Sequence, residues 1–183
     1  MSGKFAGYRF RVASKKEFEQ IHRLNYRTFV EEIPQHPPNT DGSLIDKFHD
    51  ENTYVVCLAG ERVVGMLSVR ARRPFSLDAK LQNLDSYLPP RRSPCEFRLL
   101  AVEPAHRSGT VFLGLLKAMA EHAFAEGYDL AVISGTVRQL KLYRHLGFLP
   151  FGPLVGSDDA LYQPMYLTKE AFEAGARTFL RRR

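Results

Sequence analysis

The sequence predicts an α/β domain built on a mixed β-sheet, and three observations lead to that class. The stretch 94–152 follows the order strand, tight loop, amphipathic helix, strand, helix, with short links between the elements. Its two strands are apolar on both faces, which is typical of the centre of a helix-covered parallel sheet. Upstream, two β-rich runs joined by a short Gly-containing turn at 59–61 indicate an antiparallel hairpin.

A capping box predicts the first helix. The pattern Ser-x-x-Glu occurs at 14–17, and apolar residues then recur at helical spacing to about Glu32. Three prolines and an Asp-Gly pair make segment 33–43 a loop. The hairpin strands follow, and Gly65 in the second strand indicates a bulge or a close backbone approach. One short helix is expected near 77–84.

The later elements complete the sheet. A buried strand at 97–102 leads into a helix from about Thr110 to Gly127, and a second buried strand follows at 130–133. Strand, helix and strand together predict a right-handed βαβ crossover. The remaining elements are expected as a helix at 138–146, a strand from Phe148, an antiparallel strand at 161–167 and a helix at 169–180 capped by Thr168. We find no repeat or linker, so one domain spanning 1–183 is expected.

Composition bounds the class of protein. Hydrophobic content of 44% and charged content of 25% suit a globular domain, and no apolar run reaches the roughly 18 residues of a membrane helix. The N-terminus has no apolar core of a signal peptide. Cys57 and Cys95 fall inside predicted strands, where cysteine is usually a small buried hydrophobe. We expect a cytoplasmic protein without a membrane span, a disulfide or a metal site.

The formal net charge of +6 raises the question of a nucleic-acid partner. The basic clusters lie at 70–73, 91–92 and 181–183, beside prolines or at the chain end. No recognition helix and no aromatic-basic pattern accompanies them. A solvated surface is the first interpretation, a docking face for an acidic partner or cofactor is the second, and nucleic acid ranks last.

The loop before the central helix is the first candidate site. Free N–H groups and the helix dipole both attract anions at a helix N-terminus. Arg107 adds charge and Gly109 allows close approach, with Ser108 and Thr110 beside them, so this segment could hold a phosphate-bearing cofactor. An ordinary strand-to-helix turn is the alternative.

The order of elements, together with the heptapeptide LYRHLGF at 142–148, resembles the GCN5-related N-acetyltransferase (GNAT) superfamily over nearly the whole chain. Within that superfamily, the sequence is most similar to the long-chain N-acyl amino acid synthases and the acyl-homoserine-lactone synthases. The matching segments are NYRTFVEE at 25–32, DKFHD at 46–50, VVG at 63–65 and PCEFRLLAV at 94–102.

Two positions depart from the family pattern. Glu96 and Arg98 are two residues apart, whereas the lactone synthases usually space them by three. The phosphate loop Arg/Gln-x-x-Gly-x-Gly/Ala appears as RSGTVF at 107–112, with its glycines displaced or lost. The second departure leaves room for a donor other than acetyl-CoA, such as acyl carrier protein.

The resemblance implies the GNAT fold, a central twisted mixed sheet flanked by helices, and an N-acyltransferase. The donor would be the thioester of acyl-CoA or acyl carrier protein, and the acceptor a small-molecule amine such as an amino acid. The amine would attack directly in a ternary complex. The alternative is a non-catalytic GNAT-like domain that binds acyl-CoA or a partner protein. Acyl length and oligomeric state stay open, a homodimer included.

Tyr143 and Glu96 are the catalytic candidates. The resemblance implies that Tyr143 protonates the leaving thiolate or hydrogen-bonds its sulfur, and a core tyrosine is the alternative. Glu96 enters an otherwise apolar strand, where a buried carboxyl could act as base for an ammonium substrate, directly or through water. A salt bridge with Arg98, on the same face of the strand, is the alternative.

The backbone of the same strand is the candidate for stabilising the oxyanion. The resemblance places the opening of the sheet near Leu100 and Ala101, with Val102 following them. A backbone N–H there could donate to the negative oxygen of the tetrahedral intermediate. These three residues are therefore assigned to donor binding.

Four side chains are candidates for binding the acceptor. Arg27 could hold a substrate carboxylate with two hydrogen bonds, or it could simply cover the helix surface. Asp46 and His49 could bind the amine, with a solvated loop as the simpler interpretation. Arg98 is assigned to the same group.

Overall fold

Strands and helices alternate along the chain in the computed structural model, which describes residues 7–157 and 160–181, with the backbone alone for 157, 160 and 176–181. The strands are β1 (Tyr8–Val12), β2 (Asn52–Ala59), β3 (Arg62–Arg70), β4 (Pro94–Val102), β5 (Leu130–Thr136), β6 (Leu149–Pro150), β7 (Val155–Ser157) and β8 (Ala160–Thr168). The helices are α1 (Phe18–Tyr26), α2 (Gly109–Ala125), α3 (Leu140–His145) and α4 (Lys169–Arg181).

The strands form an open sheet in the order β1-β2-β3-β4-β5-β8-β6, with β7 paired to β8. Strands β4 and β5 run parallel, so that Cys95 lies opposite Ala131. The pairs β1–β2 and β5–β8 run antiparallel. The α/β class with a mixed sheet, predicted from the sequence, is confirmed.

The chain divides into two compact units. The first contains the residues up to Val69 together with Arg98–His122, and the second contains Arg70–Phe97 together with the residues from Ala123 onward. Strand β4 contributes residues to both units. The first unit has a core of Ile21, Leu24, Tyr54, Val56, Leu58, Val63, Met66 and Ala101. The second has a core of Phe75, Leu77, Leu81, Leu84, Val132, Phe151 and Val155.

The predicted capping box is present at the start of the first helical segment. The Glu17 carboxylate accepts hydrogen bonds from the backbone N–H of Ser14 at 2.7 Å and from its hydroxyl at 2.9 Å. The hydrogen bond from Arg11 and those from Ser14 outweigh the effect of burial and lower the pKa of Glu17 to about 2. The segment continues to the predicted end, but from Arg27 to Glu32 it widens into a π-helix.

Two glycines of the first unit make room for side chains. A Cβ on Gly114 of α2 would lie 2.2 Å from Cζ of Phe10, a residue of β1 that the sequence analysis did not identify as a strand. A Cβ on Gly65 of β3 would lie 3.1 Å from Leu115 and 3.2 Å from Val111. Side chains of α2, and not the backbone expected from the sequence, therefore approach Gly65 closely.

One element of the second unit differs from the prediction. Residues 77–84 do not form the expected helix, and a single 3₁₀ turn lies at Leu84–Tyr87 instead. It begins after Asn83, whose left-handed φ of 53° cannot continue an α-helix. The predicted cap of the last helix is present, because the Thr168 hydroxyl accepts the N–H of Ala171 at 3.2 Å.

Both cysteines are free and buried, one in each unit. Burial raises the pKa of Cys57 to about 11. Burial, together with the charges of Asp129 and Glu96, raises the pKa of Cys95 to about 12. Both thiols therefore stay protonated at neutral pH.

Ion pairs hold one arginine in each of two basic clusters noted in the sequence. Arg73 forms ion pairs with Asp78 and Asp85, and Arg92 bonds to Asp129 at 3.2 Å and to Glu170 at 2.8 Å. The cluster at 181–183 lies outside the residues whose side chains are described. None of the helices in the described part of the chain has the length and apolar character needed to cross a membrane.

Candidate active site

The loop between β4 and α2 was predicted to offer backbone N–H groups to a phosphate. It contains a 3₁₀ turn at Pro104–His106, and the N–H groups of His106 and Ser108 already donate within the loop, each at 2.8 Å. Among the hydrogen bonds of the described residues, none uses the N–H of Gly109 or Thr110. These two N–H groups, in the first turn of α2, are the donors that remain for an anion.

Arg107 lies on this loop, and the structure shows its guanidinium engaged. It donates from both terminal nitrogens to the carboxylate of Glu32, with Nη1 at 2.6 Å from Oε1, and from Nε to the carbonyl of Val102 at 3.0 Å. Hydrogen bonding within the ion pair raises the pKa of Arg107 and lowers that of Glu32. The Glu32 carboxylate thus occupies the side of Arg107 that a phosphate would use.

An open pocket of about 570 Å³ lies beside this loop in the first unit. Its lining contains three arginines and three glutamates, so its formal charge is balanced. The lining residues are Leu24, Arg27, Thr28, Glu31, Glu32, Arg62, Glu103, Pro104, Ala105 and Arg107. The pocket brings together Arg27 and Arg107, which the sequence analysis assigned to acceptor and donor binding.

Glu103 is the buried charge of this pocket, with only 5% of its surface exposed. It accepts a hydrogen bond from Arg27 at 2.9 Å and a second from Arg62. Burial opposes its ionisation, but the two guanidiniums outweigh burial and lower the pKa of Glu103. Sequence reasoning missed Glu103 and Arg62, because nothing local links residues 41 positions apart.

Asp46 and Arg98, both predicted to contact the substrate, bind each other. Two hydrogen bonds join the guanidinium and carboxylate at 2.9 and 3.1 Å, and the side chains are only 12% and 9% exposed for Arg98 and Asp46. Asn52 and the N–H of Phe48 also donate to Asp46. Burial acts against ionisation of Asp46, yet these donors lower its pKa overall. Asp46 is therefore part of a structured polar cluster and not a solvated loop residue.

His49 belongs to a cluster of rings linked to that ion pair through Asn52. Its Nδ1 lies 3.4 Å from Nε2 of His22 and 3.1 Å from the hydroxyl of Tyr54, which also receives a hydrogen bond from Asn52. Burial, and then the nearby His49, lower the pKa of His22. Across the described residues, no three His, Cys, Asp or Glu side chains are grouped so that they could hold a metal ion.

Strand β4 is interrupted at Leu99, whose φ of 55° is left-handed. This conformation is uncommon for a bulky residue and marks a break in the regular ladder. The hydroxyl of Ser68, a fully buried residue of β3, donates to the carbonyl of Arg98 at 3.1 Å, directly before the break. The N–H groups at 100–102, which were predicted to include the oxyanion donor, follow directly after it. No glycine in β4 signals this break in the sequence.

Glu96 is fully buried in the second unit. Its carboxylate accepts hydrogen bonds from the N–H of Ser76 at 2.8 Å, from the Ser76 hydroxyl at 2.6 Å and from the N–H of Leu77 at 3.1 Å. The segment before β4 therefore wraps around the carboxylate.

Tyr143 lies in α3, and its phenol is half-buried. Burial raises its pKa above the ordinary value, and the neighbouring Thr136 side chain opposes this effect only in part. The ring meets Phe148 edge to face, with 6.0 Å between the centroids. The phenol therefore keeps its proton at neutral pH, as a proton donor must.

Solved structures with this fold include several acyltransferases. A CoA-dependent acyl-homoserine lactone synthase, BjaI, solved with MTA, aligns with a TM-score of 0.77 over 94% of this chain and 89% of its own, at 21% identity. FeeM, an N-acyl amino acid synthase from uncultured soil microbes, aligns at 0.71 over 92% and 94%, with 17% identity. An N-acetyltransferase from Staphylococcus aureus Mu50 aligns at 0.62 over 90% and 99%, with 16% identity. A comparison with curated protein sequences finds no match.

The fold is that of a GNAT-like acyltransferase, as the sequence predicted. A family model described as N-acyl amino acid synthase FeeM matches residues 20–169, most of the chain. This chain therefore belongs to the N-acyl amino acid synthase FeeM family, and it is an enzyme that transfers an acyl group to an amine. Membership in this family favours the enzyme over the non-catalytic alternative.

Proposed function

We propose that this enzyme takes its acyl group from a thioester, either acyl-CoA or acyl carrier protein, and transfers it to the amine of an amino acid or a similar small molecule. The observation that carries the proposal is the Tyr143 side chain, which is half-buried, with its ring against Gly135 of β5 and edge to face with Phe148. Its raised pKa keeps the phenol protonated, so it can supply the proton that a departing thiolate requires.

The proposed reaction is direct attack in a ternary complex. The neutral amine forms a C–N bond to the thioester carbonyl carbon, and the carbonyl oxygen becomes an oxyanion. A backbone N–H near Leu100 or Ala101 donates to that oxyanion, a contact worth about 3 kcal/mol. The C–S bond then breaks as the oxyanion collapses, and the sulfur takes the proton of Tyr143. The new amide nitrogen releases its surplus proton, which returns through water to the Tyr143 phenolate. Glu96 accepts the other proton, which the substrate ammonium gives up before the attack, directly or through water.

The donor's phosphate is assigned to the start of α2. The unused N–H groups of Gly109 and Thr110 and the guanidinium of Arg107 are the groups that would contact it. Ser108 caps this turn through Val111 at 3.4 Å, and the Val102 carbonyl anchors Arg107, so both residues support the same site. Phosphate binding would replace the Glu32 carboxylate on Arg107.

A carrier-protein donor is supported by the surface of α3 and the residues just before it. Arg138, Lys141 and Arg144 are exposed, and no described side chain forms an ion pair with any of the three. Val137 and Leu142 expose apolar surface beside them, 41% and 37% respectively. A basic surface with apolar residues suits an acidic protein partner, which it would also attract at long range.

The acceptor is assigned to the first unit. Arg27 is more than half exposed and bonds to Glu103 through one terminal nitrogen, so its other N–H groups can hold a carboxylate. Asp46, His49 and Arg98 form the half-buried polar cluster that we assign to the same substrate. The hydrogen bonds between Asp46 and Arg98, and those that link His49 to this pair through Tyr54 and Asn52, fix the three positions before the substrate arrives.

We also propose that residues 1–183 form a single acyltransferase domain in a reducing cytoplasm. The family match at 20–169 runs through both compact units, and strand β4 belongs to both. The two unpaired, buried cysteines suit a reducing compartment.

Release of free thiol from a panel of acyl-CoAs and acyl carrier proteins, measured with and without amino acids, tests the proposed function. Amine-dependent release is expected, and Tyr143→Phe should lower kcat by roughly a hundredfold or more, as for loss of a general acid. Tyr87→Phe, at an exposed tyrosine, is the matched control and should retain activity. If no donor gives amine-dependent release while several raise the melting temperature, the chain binds thioesters without turnover and the proposal is wrong.

A further inference from the structure

Gly135 is a buried residue near the end of β5, where it lies opposite Gln163 of β8. Its backbone does not have the left-handed φ that would by itself favour glycine. A Cβ built at this position would lie 2.9 Å from Cδ2 and 3.0 Å from Cε2 of Tyr143. Carbon atoms that are not bonded to each other normally stay about 3.5–4.0 Å apart. The tyrosine ring, and not the backbone conformation, therefore requires glycine here.

The surroundings of Tyr143 leave its ring little room to yield. The same Cβ would lie 3.3 Å from the sulfur of Met165, which is fully buried, and Phe148 borders the ring on another side. The Tyr143 carbonyl accepts hydrogen bonds from Leu146 at 3.1 Å and Phe148 at 3.0 Å, which fasten the backbone of α3. A side chain on Gly135 would consequently displace the ring from its place against β5.

We propose that Gly135 is a positioning residue for Tyr143: the missing side chain lets the ring lie against β5 and thereby fixes the place of the phenolic oxygen. This inference rests on the role of Tyr143 in the proposed function. The end of β5 therefore sets the depth of the ring. Gly135 itself does not contact reacting atoms in this proposal.

The test compares Gly135→Ala with Gly175→Ala in the full-length protein. Gly175 lies in α4 with nothing within 4 Å of a built Cβ, so it controls for the added methyl group. In protein labelled with 3-fluorotyrosine, the ¹⁹F resonance of Tyr143 is assigned through Tyr143→Phe. We expect Gly135→Ala to shift this resonance and to lower kcat about ten- to a hundredfold, with the KM of the donor little changed. Gly175→Ala should do neither.

Non-additivity separates positioning from general damage. In the Tyr143→Phe background, Gly135→Ala should cause little further loss of kcat, because the hydroxyl that it would misplace is already gone. An equal fold-loss in both backgrounds, or an unmoved ¹⁹F resonance, would overturn the inference. If Tyr143→Phe keeps full activity, the proposed proton donor is wrong, whereas a shifted resonance in Gly135→Ala still establishes that Gly135 positions the ring.

A second variant covers the case in which Gly135→Ala does not fold. Phe148→Leu adds nothing at β5 and removes the aromatic contact that borders the Tyr143 ring on another side. We expect Phe148→Leu to shift the ¹⁹F resonance of Tyr143 and to lower kcat, because the ring then leaves its place against Gly135. An unmoved resonance with full kcat would contradict the packing that this inference assigns to the ring.

Discussion

The charged side chains of the first unit bind one another at the positions where ligands are proposed to bind. Glu103 holds Arg27, Glu32 holds Arg107, and Asp46 holds Arg98. A ligand anion would therefore exchange with a carboxylate of the protein and not with water alone. Such exchange lowers the binding free energy that each contact contributes. The ion pairs nevertheless keep the arginines in place for the ligand.

The Glu32–Arg107 pair gives the first prediction at this scale. Glu32→Gln removes the competing charge, so the KM for acyl-CoA donors should fall up to about fivefold, the range expected from an exposed ion pair of 0–1 kcal/mol. The kcat should not change. Glu61→Gln, which breaks the exposed pair with Arg9, is the matched control. An unchanged or higher KM in Glu32→Gln would argue against a phosphate on Arg107.

Glu17 gives a prediction about stability and pH. Its pKa is lowered from 4.5 to about 2 in the folded protein. Its contribution to the unfolding free energy is therefore complete above pH 4.5 and is lost as the pH falls through 2. Glu17→Gln should therefore cost about 1–3 kcal/mol of unfolding free energy at pH 7. Urea unfolding at pH 7 and at pH 2 measures this cost. The difference in unfolding free energy between Glu17→Gln and the unchanged protein should shrink at pH 2, and an equal difference at both pH values would contradict this account.

At the scale of elements, the break in β4 depends on β3. A left-handed residue takes its neighbouring carbonyl out of the regular ladder, and a buried carbonyl needs another donor. The Ser68 hydroxyl supplies that donor to Arg98. The strand thus keeps its unusual conformation at Leu99 because a polar side chain interrupts the otherwise apolar β3.

Ser68→Ala tests this dependence. Leaving the Arg98 carbonyl without its donor should lower the unfolding free energy by about 1–3 kcal/mol. It should also lower kcat, because the N–H groups after the break lose their fixed direction. The control is Ser134→Ala, since the buried hydroxyl of Ser134 has no hydrogen-bond partner among the described residues and its loss should be neutral. Equal effects of the two substitutions would show that the hydrogen bond to Arg98 does not matter.

Local signals in the sequence were sufficient for several elements. The capping box at Ser14 and the cap at Thr168 could be predicted, because each is formed by residues only three positions apart in the sequence. Strand β1 was not predicted, because aromatic and charged side chains alternate in a strand of only five residues, too short a run to stand out from a loop. The helix expected at 77–84 is absent, because its residues fill the second core from turns.

The candidate site was less accessible to such reasoning. Tyr143 and Arg107 belong to motifs that a reader can recognise, whereas their partners Gly135 and Glu32 do not. Steric and ionic partners meet through the fold, at separations of 8 and 75 residues. The left-handed conformation of Leu99 could not be predicted either, since leucine is not a residue that favours this conformation.

At the scale of the whole molecule, the donor's size decides which surfaces matter. In the proposed function, an acyl-CoA is expected to bind at the start of α2, whereas the basic surface around α3 is expected to matter for a carrier-protein donor alone. The combined change Arg138→Glu, Lys141→Glu and Arg144→Glu should therefore raise the KM for carrier-protein donors about tenfold or more at low salt. The KM for acyl-CoA should stay the same, as steady-state kinetics with both donors would show.

Charge reversal elsewhere controls for net charge. Arg9→Glu, Arg23→Glu and Lys117→Glu change three exposed cations of the first unit. This control should leave both KM values nearly unchanged. If the control variant raises the KM for carrier-protein donors as much as the α3 variant does, the attraction is non-specific. Equal losses with both donors in the α3 variant would instead exclude a docking surface.

The two buried thiols also allow each compact unit to be followed separately. Cys57 lies in the first unit and Cys95 in the second, and neither thiol is accessible or ionised in the folded protein. A disulfide reagent should therefore label each cysteine only when its own unit opens, since reaction requires an exposed thiolate. In Cys57→Ala and Cys95→Ala, the labelling rate of the remaining thiol reports how often a single unit opens. Labelling rates measured with and without an acyl donor would then show which half of the enzyme the donor protects from opening.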